Sequence, residues 1–426
     1  MTAGSIGGAS ISRRQVTAAV IGNALEFYDF TIYAFFAREI GAAFFPGHSP
    51  FLSLILALAT FGAGFILRPV GSVLIGRYAD THGRKPAMLF SFALMGGSIL
   101  ALALTPTYAQ IGLAAPILAL GCRLAQGFAL GGEVGPTTAF LVEASPAARR
   151  GLYASWQGAS QNLAAVAGGL VGVALAAVAG AEGLQHWGWR AAFLIGALVL
   201  PFGVWLRRGL PETLHHAEAA TVHQPPDATL RGHARIIILG VALIAAATVA
   251  TYALTYMTTY ARVTLHMGPG IALGAQVANG AAGAAGALAG GVLCDRYGRR
   301  PLLIWPRIVF LIAVWPAFYL MARYHDALTL LGGVTLLATC LGLNTAAVFA
   351  AVTESLRKEL RGAVFGGVYA IAVAVFGGTT QLVIASLIQA TGDPLSPAWY
   401  VIAFTVVGLI ASLAMRETAP RLAAKG

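Results

Sequence analysis

The chain has 426 residues, of which 58% are hydrophobic and only 10% charged, with a formal net charge of +11. Ordinary soluble domains carry about 25% charged residues, and the mean hydropathy here is +0.76, so a soluble globular fold is excluded. The basic excess does not mark a nucleic-acid binder, because the bases punctuate apolar runs instead of clustering on a polar domain.

Twelve apolar segments follow in chain order, near 16–37, 51–75, 87–105, 111–141, 151–180, 190–206, 236–262, 270–293, 302–321, 328–353, 362–390 and 397–415. Most are about 20 residues, the length that spans a bilayer as a helix. Met1–Ser12 is small and polar, without the basic–apolar–cleavage pattern of a signal peptide, and reads as a disordered cytoplasmic tail. The expected organisation is a tail over 1–14, a six-helix bundle over 15–207, a cytoplasmic loop over 208–235 carrying Pro225-Pro226-Asp227, a second six-helix bundle over 236–416, and a tail over 417–426. Cys122, Cys294 and Cys340 stand singly, and His215, His216, His223 and His233 lack ligand spacing. No disulfide, metal site or cofactor is expected. With the N-terminus inside, 20 of the 27 Lys and Arg residues fall on the cytoplasmic side. That asymmetry puts both termini in the cytoplasm.

One short stretch occurs twice. Gly76-Arg77-Tyr78-Ala79-Asp80-Thr81-His82-Gly83-Arg84-Lys85-Pro86 is matched by Gly291-Val292-Leu293-Cys294-Asp295-Arg296-Tyr297-Gly298-Arg299-Arg300-Pro301, 215 positions later (295 − 80). The repeat extends further. Glu143 and Arg150 close the fourth segment as Glu354 and Arg361 close the tenth, each pair 211 apart (354 − 143, 361 − 150), and Pro211-Glu212-Thr213 is echoed by Arg416-Glu417-Thr418. A repeat at half the chain length means two homologous halves. A Gly/Asp/Arg loop between two apolar helices, doubled, resembles the loop signature of the major facilitator superfamily of transporters. That resemblance implies an all-α membrane protein of twelve transmembrane helices in two pseudo-symmetric six-helix bundles, with a cavity at their interface near the bilayer midplane.

Acids and bases at the ends of neighbouring helices can hold two halves in one state and release them into another. Gly76, Asp80, Arg84, Glu143, Arg150, Asp295, Arg299, Glu354 and Arg361 are the candidates for such a cytoplasmic gate. The plain alternative is topological anchoring by positive loops.

Three acids lie within the first half's apolar segments. Glu26 and Asp29 share one face of the first helix at i, i+3, and Glu133 lies ten residues beyond Arg123 in the fourth segment. An acid in hydrocarbon must pair, face water or take a proton. All three are therefore proton-coupling candidates, beside the alternative of a structural ion pair. Arg123 keeps its charge and needs an anionic partner, either one of those acids or a substrate carboxylate, which a guanidinium grips with two bonds. Arg68 is a second substrate candidate or a side chain snorkelling to the interface. Snorkelling is the expectation for Arg307. In the seventh segment Tyr252, Tyr256 and Tyr260 recur every four residues, either as a cavity stripe or as helix packing. Asn344 occupies the repeat position of Glu133 (344 − 133 = 211), and Gln157, Gln161 and Asn162 give the fifth segment a polar stripe, with Gln381 a weaker candidate.

Gly22-Asn23, Glu26, Asp29-Phe30, Arg68-Pro69-Val70-Gly71, Arg123, Gln126-Gly127-Phe128, Gly131, Glu133, Ser155-Trp156-Gln157 and Trp187-Gly188-Trp189-Arg190 together resemble the metabolite:proton symporter family. Tyr256, Tyr260-Ala261-Arg262, Gly342-Leu343-Asn344, Val352-Thr353-Glu354, Phe376-Gly377-Gly378 and Thr391-Gly392-Asp393 are most similar to bacterial citrate–proton and tricarballylate carriers. His82, in the first loop motif, departs from the common pattern. The resemblance implies proton-driven import of a tri- or dicarboxylate across a bacterial inner membrane by a monomer. The rivals are another substrate of the same family (2-oxoglutarate, an aromatic acid, betaine or proline), a drug–proton antiporter, and a membrane sensor. A sensor would need a soluble signalling domain, for which 207–235 is too short. No nucleophile–base pair suggests an enzyme.

Overall fold

The structure, a computed structural model, describes residues 13–47, 49–82, 84–131, 141, 145–197, 226–356 and 358–419. The terminal tails beyond these limits, most of the central loop, and Glu133 and Glu143 lie outside the described residues. Glu26, Asp80, Arg84 and Arg361 sit on described helices, but their side chains lie outside the described set.

The first apolar segment is α1 (Arg13–Phe35) followed, after a break at Phe36, by α2 (Ala37–Phe44). The second is α3 (Pro50–Ile66) and α4 (Arg68–His82), nearly continuous through Leu67. Ser49 starts α3 by accepting the Leu52 N–H at 3.2 Å, with Pro50 at the first helical position. Then come α5 (Arg84–Leu104), the one-turn α6 (Tyr108–Ile111), α7 (Ala114–Gly131) and α8 (Arg150–Gly183). The helical run Arg150–Ala197 has 48 residues. At 1.5 Å per residue that is about 72 Å, over twice a bilayer core of about 30 Å. It cannot be one span. Gly180, at φ 66° and ψ −173°, breaks it, a π turn over Leu184–Gly188 redirects it, and α9 (189–197) is the described part of the sixth segment.

The second half runs α10 (Pro226–Thr255), a broken tip made of Met257–Thr259 and a π turn over Tyr260–Thr264, α11 (Pro269–Tyr297), α12 (Arg299–Tyr324), α13 (Ala327–Glu354), α14 (Lys358–Ala372), α15 (Gly378–Thr391) and α16 (Ser396–Ala414). A third π turn, Val373–Gly377, joins α14 to α15. No strand occurs among the described residues. Helices alone satisfy their backbone polar groups within one segment, which hydrocarbon demands. Their outward faces carry Ile66, Val178 and Leu328 at 66%, 82% and 83% exposure. Such surfaces suit lipid, not water.

The helices meet on small residues, as membrane helices do. Gly127 of α7 lies against Gly64 of α3, where a Cβ would collide with a backbone carbonyl. The most extensive contact joins α8 to α11, one helix from each half. A Cβ at Gly280 there would fall 2.5 Å from the Asn162 carbonyl oxygen. A second crossing between halves sets Gly62 of α3 against Gly378 of α15. These close approaches leave one central space, bounded by both halves.

Candidate functional site

That space is a cavity of about 110 Å³. Its walls are aromatic (Phe27, Phe30, Phe61, Tyr252, Phe349, Tyr369) and neutral polar (Gln161, Asn162, Thr251, Thr255, Asn279, Thr345). Residues of α1, α3 and α8 face residues of α10, α11, α13 and α14 across it.

Behind the aromatic wall lies the charge. Arg123 is fully buried on α7, with Nη1 3.7 Å from Asp29 Oδ2 on α1. The same nitrogen donates to Gln126 Oε1. The Arg123 guanidinium rests over Phe30 and Tyr33, 4.4 Å from each ring centre. Arg68, 3% exposed, lies over the same Phe30 at 4.4 Å and over Phe65 at 4.1 Å. Phe30 thus serves two cations, a cation–π arrangement that partly replaces hydration. Phe30 also lines the cavity, whereas neither arginine is among its lining residues. Nε and Nη2 of each arginine, and both oxygens of Asp29, have no hydrogen-bond partner. Buried donors of this kind are costly unless something fills them. Tyr252 and Tyr369 line the cavity from the second half, and Gln161 lines it from the first.

The structure separates the other sequence candidates from this cluster. Tyr252 lines the cavity, but Tyr256 and Tyr260 do not. The helix breaks at Tyr256, and the drift of a four-residue repeat turns the stripe into the second half's core. Tyr260 is spent on a 2.9 Å bond to the Pro394 carbonyl. Asn344 is removed from the cavity. It donates to the Leu302 and Leu303 carbonyls of α12 at 2.9 and 3.0 Å and accepts from Arg307 at 2.8 Å. Arg307 therefore does not snorkel. It is 5% exposed, held by Asn344 and by Ser412 at 3.1 Å, with no acid in pairing range among the described residues. Gln157 lies in the seam between α1 and α8, donating to Asn23 Oδ1 at 2.9 Å. Gln381 is buried away from the cavity with both amide atoms unpartnered. Tyr369 and Asn279 escaped the sequence reading. The repeat held a signal for Tyr369. Shifted by 211, the Gln157–Asn162 stripe falls on 368–373, where Tyr369 is the one polar side chain.

A second cluster forms at the end that carries the doubled loops. Asp295, at the end of α11, accepts the Gly151 and Leu152 N–H groups at the start of α8, at 2.8 and 2.9 Å. These are unsatisfied donors at a helix N-terminus, where a carboxylate is favoured. The bond spans the two halves. Arg299 bonds Asp295 at 3.1 Å and grips Glu354 with two bonds of 2.9 and 3.0 Å. Thr418 donates to the same carboxylate at 2.9 Å. Glu417 caps α12, accepting the Arg299 and Arg300 N–H groups at 2.8 and 2.9 Å. The echo of Glu212-Thr213 in Glu417-Thr418 was the sequence signal for these two. Gly76 packs against nothing within 4 Å of where its Cβ would be, and the Arg150 Nε is buried without a partner.

Glu417 gives this end a pH dependence. Burial opposes its ionised form, but four backbone N–H bonds outweigh that and hold its carboxyl below the usual range. A depressed folded value stabilises the fold above the unfolded value and loses that support as pH falls through it. Melting temperatures should therefore fall between about pH 5 and pH 3. Glu417→Gln should flatten that part of the profile. An unchanged slope in the variant would assign the loss to other carboxylates.

Comparison with known proteins agrees with the architecture. Residues 19–380 match the family model described as Major Facilitator Superfamily. A citrate-proton symporter of Klebsiella pneumoniae is 36% identical over 398 residues, covering 92% of this chain and 89% of that protein. A proline/betaine transporter of Salmonella typhimurium is 32% identical, covering 96% and 84%. The alpha-ketoglutarate permease of Escherichia coli is 31% identical, covering 96% and 95%. Among solved structures, a D-xylose-proton symporter superposes with a TM-score of 0.77 at 17% identity, covering 96% of this chain and 98% of that one. That likeness speaks for the fold alone. Twelve apolar segments, a doubled loop, a cavity between two helical halves and these relatives agree: the chain is a membrane transporter, not an enzyme, and belongs to the Major Facilitator Superfamily.

Proposed function

We propose that this transporter carries a tri- or dicarboxylate, citrate or tricarballylate first, together with protons across a bacterial inner membrane by alternating access. The carrying observation is the charge balance behind the cavity. Arg68 and Arg123 flank Phe30 with four unpartnered guanidinium nitrogens, and one described carboxylate, Asp29, pairs with Arg123 through its Nη1. Among the described side chains, this excess of positive charge and the vacant donors suit an anion. The relatives support the class, since the name of one refers to citrate and that of another to alpha-ketoglutarate.

The coupling follows from one pair. A proton on Asp29 ends its attraction to Arg123 and frees that guanidinium for a substrate carboxylate. An anion on Arg123 in turn makes the charged form of Asp29 costlier. Each ligand favours the other, which is the thermodynamic content of symport. Glu26 and Glu133 remain further proton candidates in this proposal. Both termini face the cytoplasm, and the working unit is a monomer.

One observation favours a second reading. Six aromatic residues and no charged one form the cavity surface, and aromatic cages hold quaternary ammonium groups. A betaine or proline carrier would use the cavity itself and leave the arginines structural.

The test is uptake of radiolabelled citrate into proteoliposomes with and without an inward proton gradient, with tricarballylate, 2-oxoglutarate, benzoate and betaine as competitors. We expect gradient-driven accumulation that tricarballylate blocks and a protonophore collapses. Asp29→Asn should keep citrate exchange and lose accumulation. Uptake of betaine but not citrate, by folded protein, would replace this reading with the second one.

A further inference from the structure

We propose that Glu39 and Arg262 form a latch that shuts the cavity at the end opposite the doubled loops. Glu39 lies on α2, in the first half, and Arg262 in the π turn at the tip of the seventh segment, in the second half. Their side chains are 2% and 5% exposed, with Arg262 Nη1 2.5 Å from Glu39 Oε1. The contact is an ion pair without hydrogen-bond geometry, since Arg262 Nη1 and the remaining oxygen, Glu39 Oε2, both lack a hydrogen-bond partner. Neither charge has another ion-pair partner among the described residues.

Each charge rides on a helix tip just beyond a kink in its span, across which backbone hydrogen bonds continue. The first segment kinks at Phe36, three residues before Glu39, and the seventh at Tyr256, six before Arg262. Single-turn π insertions recur at functional sites. Each tip is nonetheless fastened to its own half. Gly41 of α2 lies so close to α3 that a Cβ would be 2.7 Å from the Ser53 carbonyl oxygen, and Tyr260 bonds the Pro394 carbonyl at 2.9 Å. The tips therefore travel with their halves, and the ion pair crosses between them beside apolar packing of Ala37, Leu54 and Leu58 against the second half.

The energetics make such a pair switch-like. Sealed from water, either charge alone is costly, so the pair holds. Once the halves part at this end, both charges hydrate, and an exposed pair contributes little. The latch is thus strong when shut and weak when open, which suits a gate with two packed states. Asp295 on Gly151 and Leu152 is the corresponding tie between halves at the other end.

The test uses a reporter cysteine, Thr255→Cys, on the cavity wall, labelled by a membrane-impermeant maleimide in right-side-out and inside-out vesicles. Glu39→Gln is isosteric and Arg262→Gln neutral. Each should raise labelling from the side opposite the doubled loops by a factor of about 100 or more, as expected for losing one partner of a buried pair. The exchanged pair Glu39→Arg with Arg262→Glu should bring the rate back toward the parent. Glu39→Asp, which keeps the charge on a shorter arm, should fall between. Equal labelling in the parent and Glu39→Gln would overturn the latch, as would an exchanged pair no slower than the singles, given a parental gel-filtration profile. The readout needs no substrate, so it stands apart from the carboxylate assignment.

Discussion

Arg123→Ala is expected to abolish concentrative uptake, by a factor of 100 or more, on the order of the 3–5 kcal/mol that removing one partner of a buried pair costs. Three losses coincide in that change. Asp29 is left buried with no ion-pair partner within reach among the described side chains. The rings of Phe30 and Tyr33 lose the cation resting 4.4 Å from each. The proposed anion site loses a guanidinium. Arg123→Lys separates these effects, because an ammonium keeps the charge but not the planar fork. It should melt near the parent and still transport poorly. The double variant Asp29→Asn with Arg123→Gln removes both charges and should recover much of the thermal stability without recovering uptake. Uptake by Arg123→Ala within threefold of the parent would move the anion site elsewhere in the cavity.

Arg299→Ala should be the most damaging change at the doubled-loop end. It strips Glu354 of two bonds and Asp295 of one. Arg299 is 1% exposed, so water does not replace what is lost, and a cost of about 3 kcal/mol follows. The effect on transport runs through Asp295. Without its arginine, that carboxylate holds the Gly151 and Leu152 N–H groups less firmly, and the two halves part more readily. Uptake should drop about tenfold, with a lower melting temperature that responds little to salt, since screening is weak for buried pairs. Arg299→Lys, limited to a point charge, should recover part of the melting temperature. A variant that melts like the parent would make this network dispensable for holding the end together.

Much of the fold was legible because its cause is local. Apolar runs of bilayer length set the helices. The eleventh helix drawn here, Pro269–Tyr297, lies over the expected 270–293, and the last, Ser396–Ala414, over 397–415. The doubled loop also put Asp295 and Arg299 four residues apart, close enough to bond across one turn. What escaped depends on how helices turn against one another. The four-residue tyrosine spacing implied one face, but the break at Tyr256 sent two of the three rings into the second half's core. Arg307 looked like an interfacial base because its depth is shallow. Its fate depended on Asn344, 37 residues away. Nor does spacing reveal that one cavity-lining ring, Phe30, meets two guanidiniums, since Phe30, Arg68 and Arg123 lie on three different helices.

The cap that Glu417 places on α12 has a consequence for how the protein is made. Arg299 must wait for an acceptor 118 residues downstream before its own backbone N–H is satisfied. At roughly 5–20 residues per second, that interval is about 6–24 s of translation. During it, Asp295 is already present and Glu354 arrives midway, but Glu417 and Thr418 have not yet left the ribosome. The doubled-loop end is therefore the last region of the described chain to be completed. A nascent chain halted after α16 inserts would have every membrane span in place and that end still unfastened.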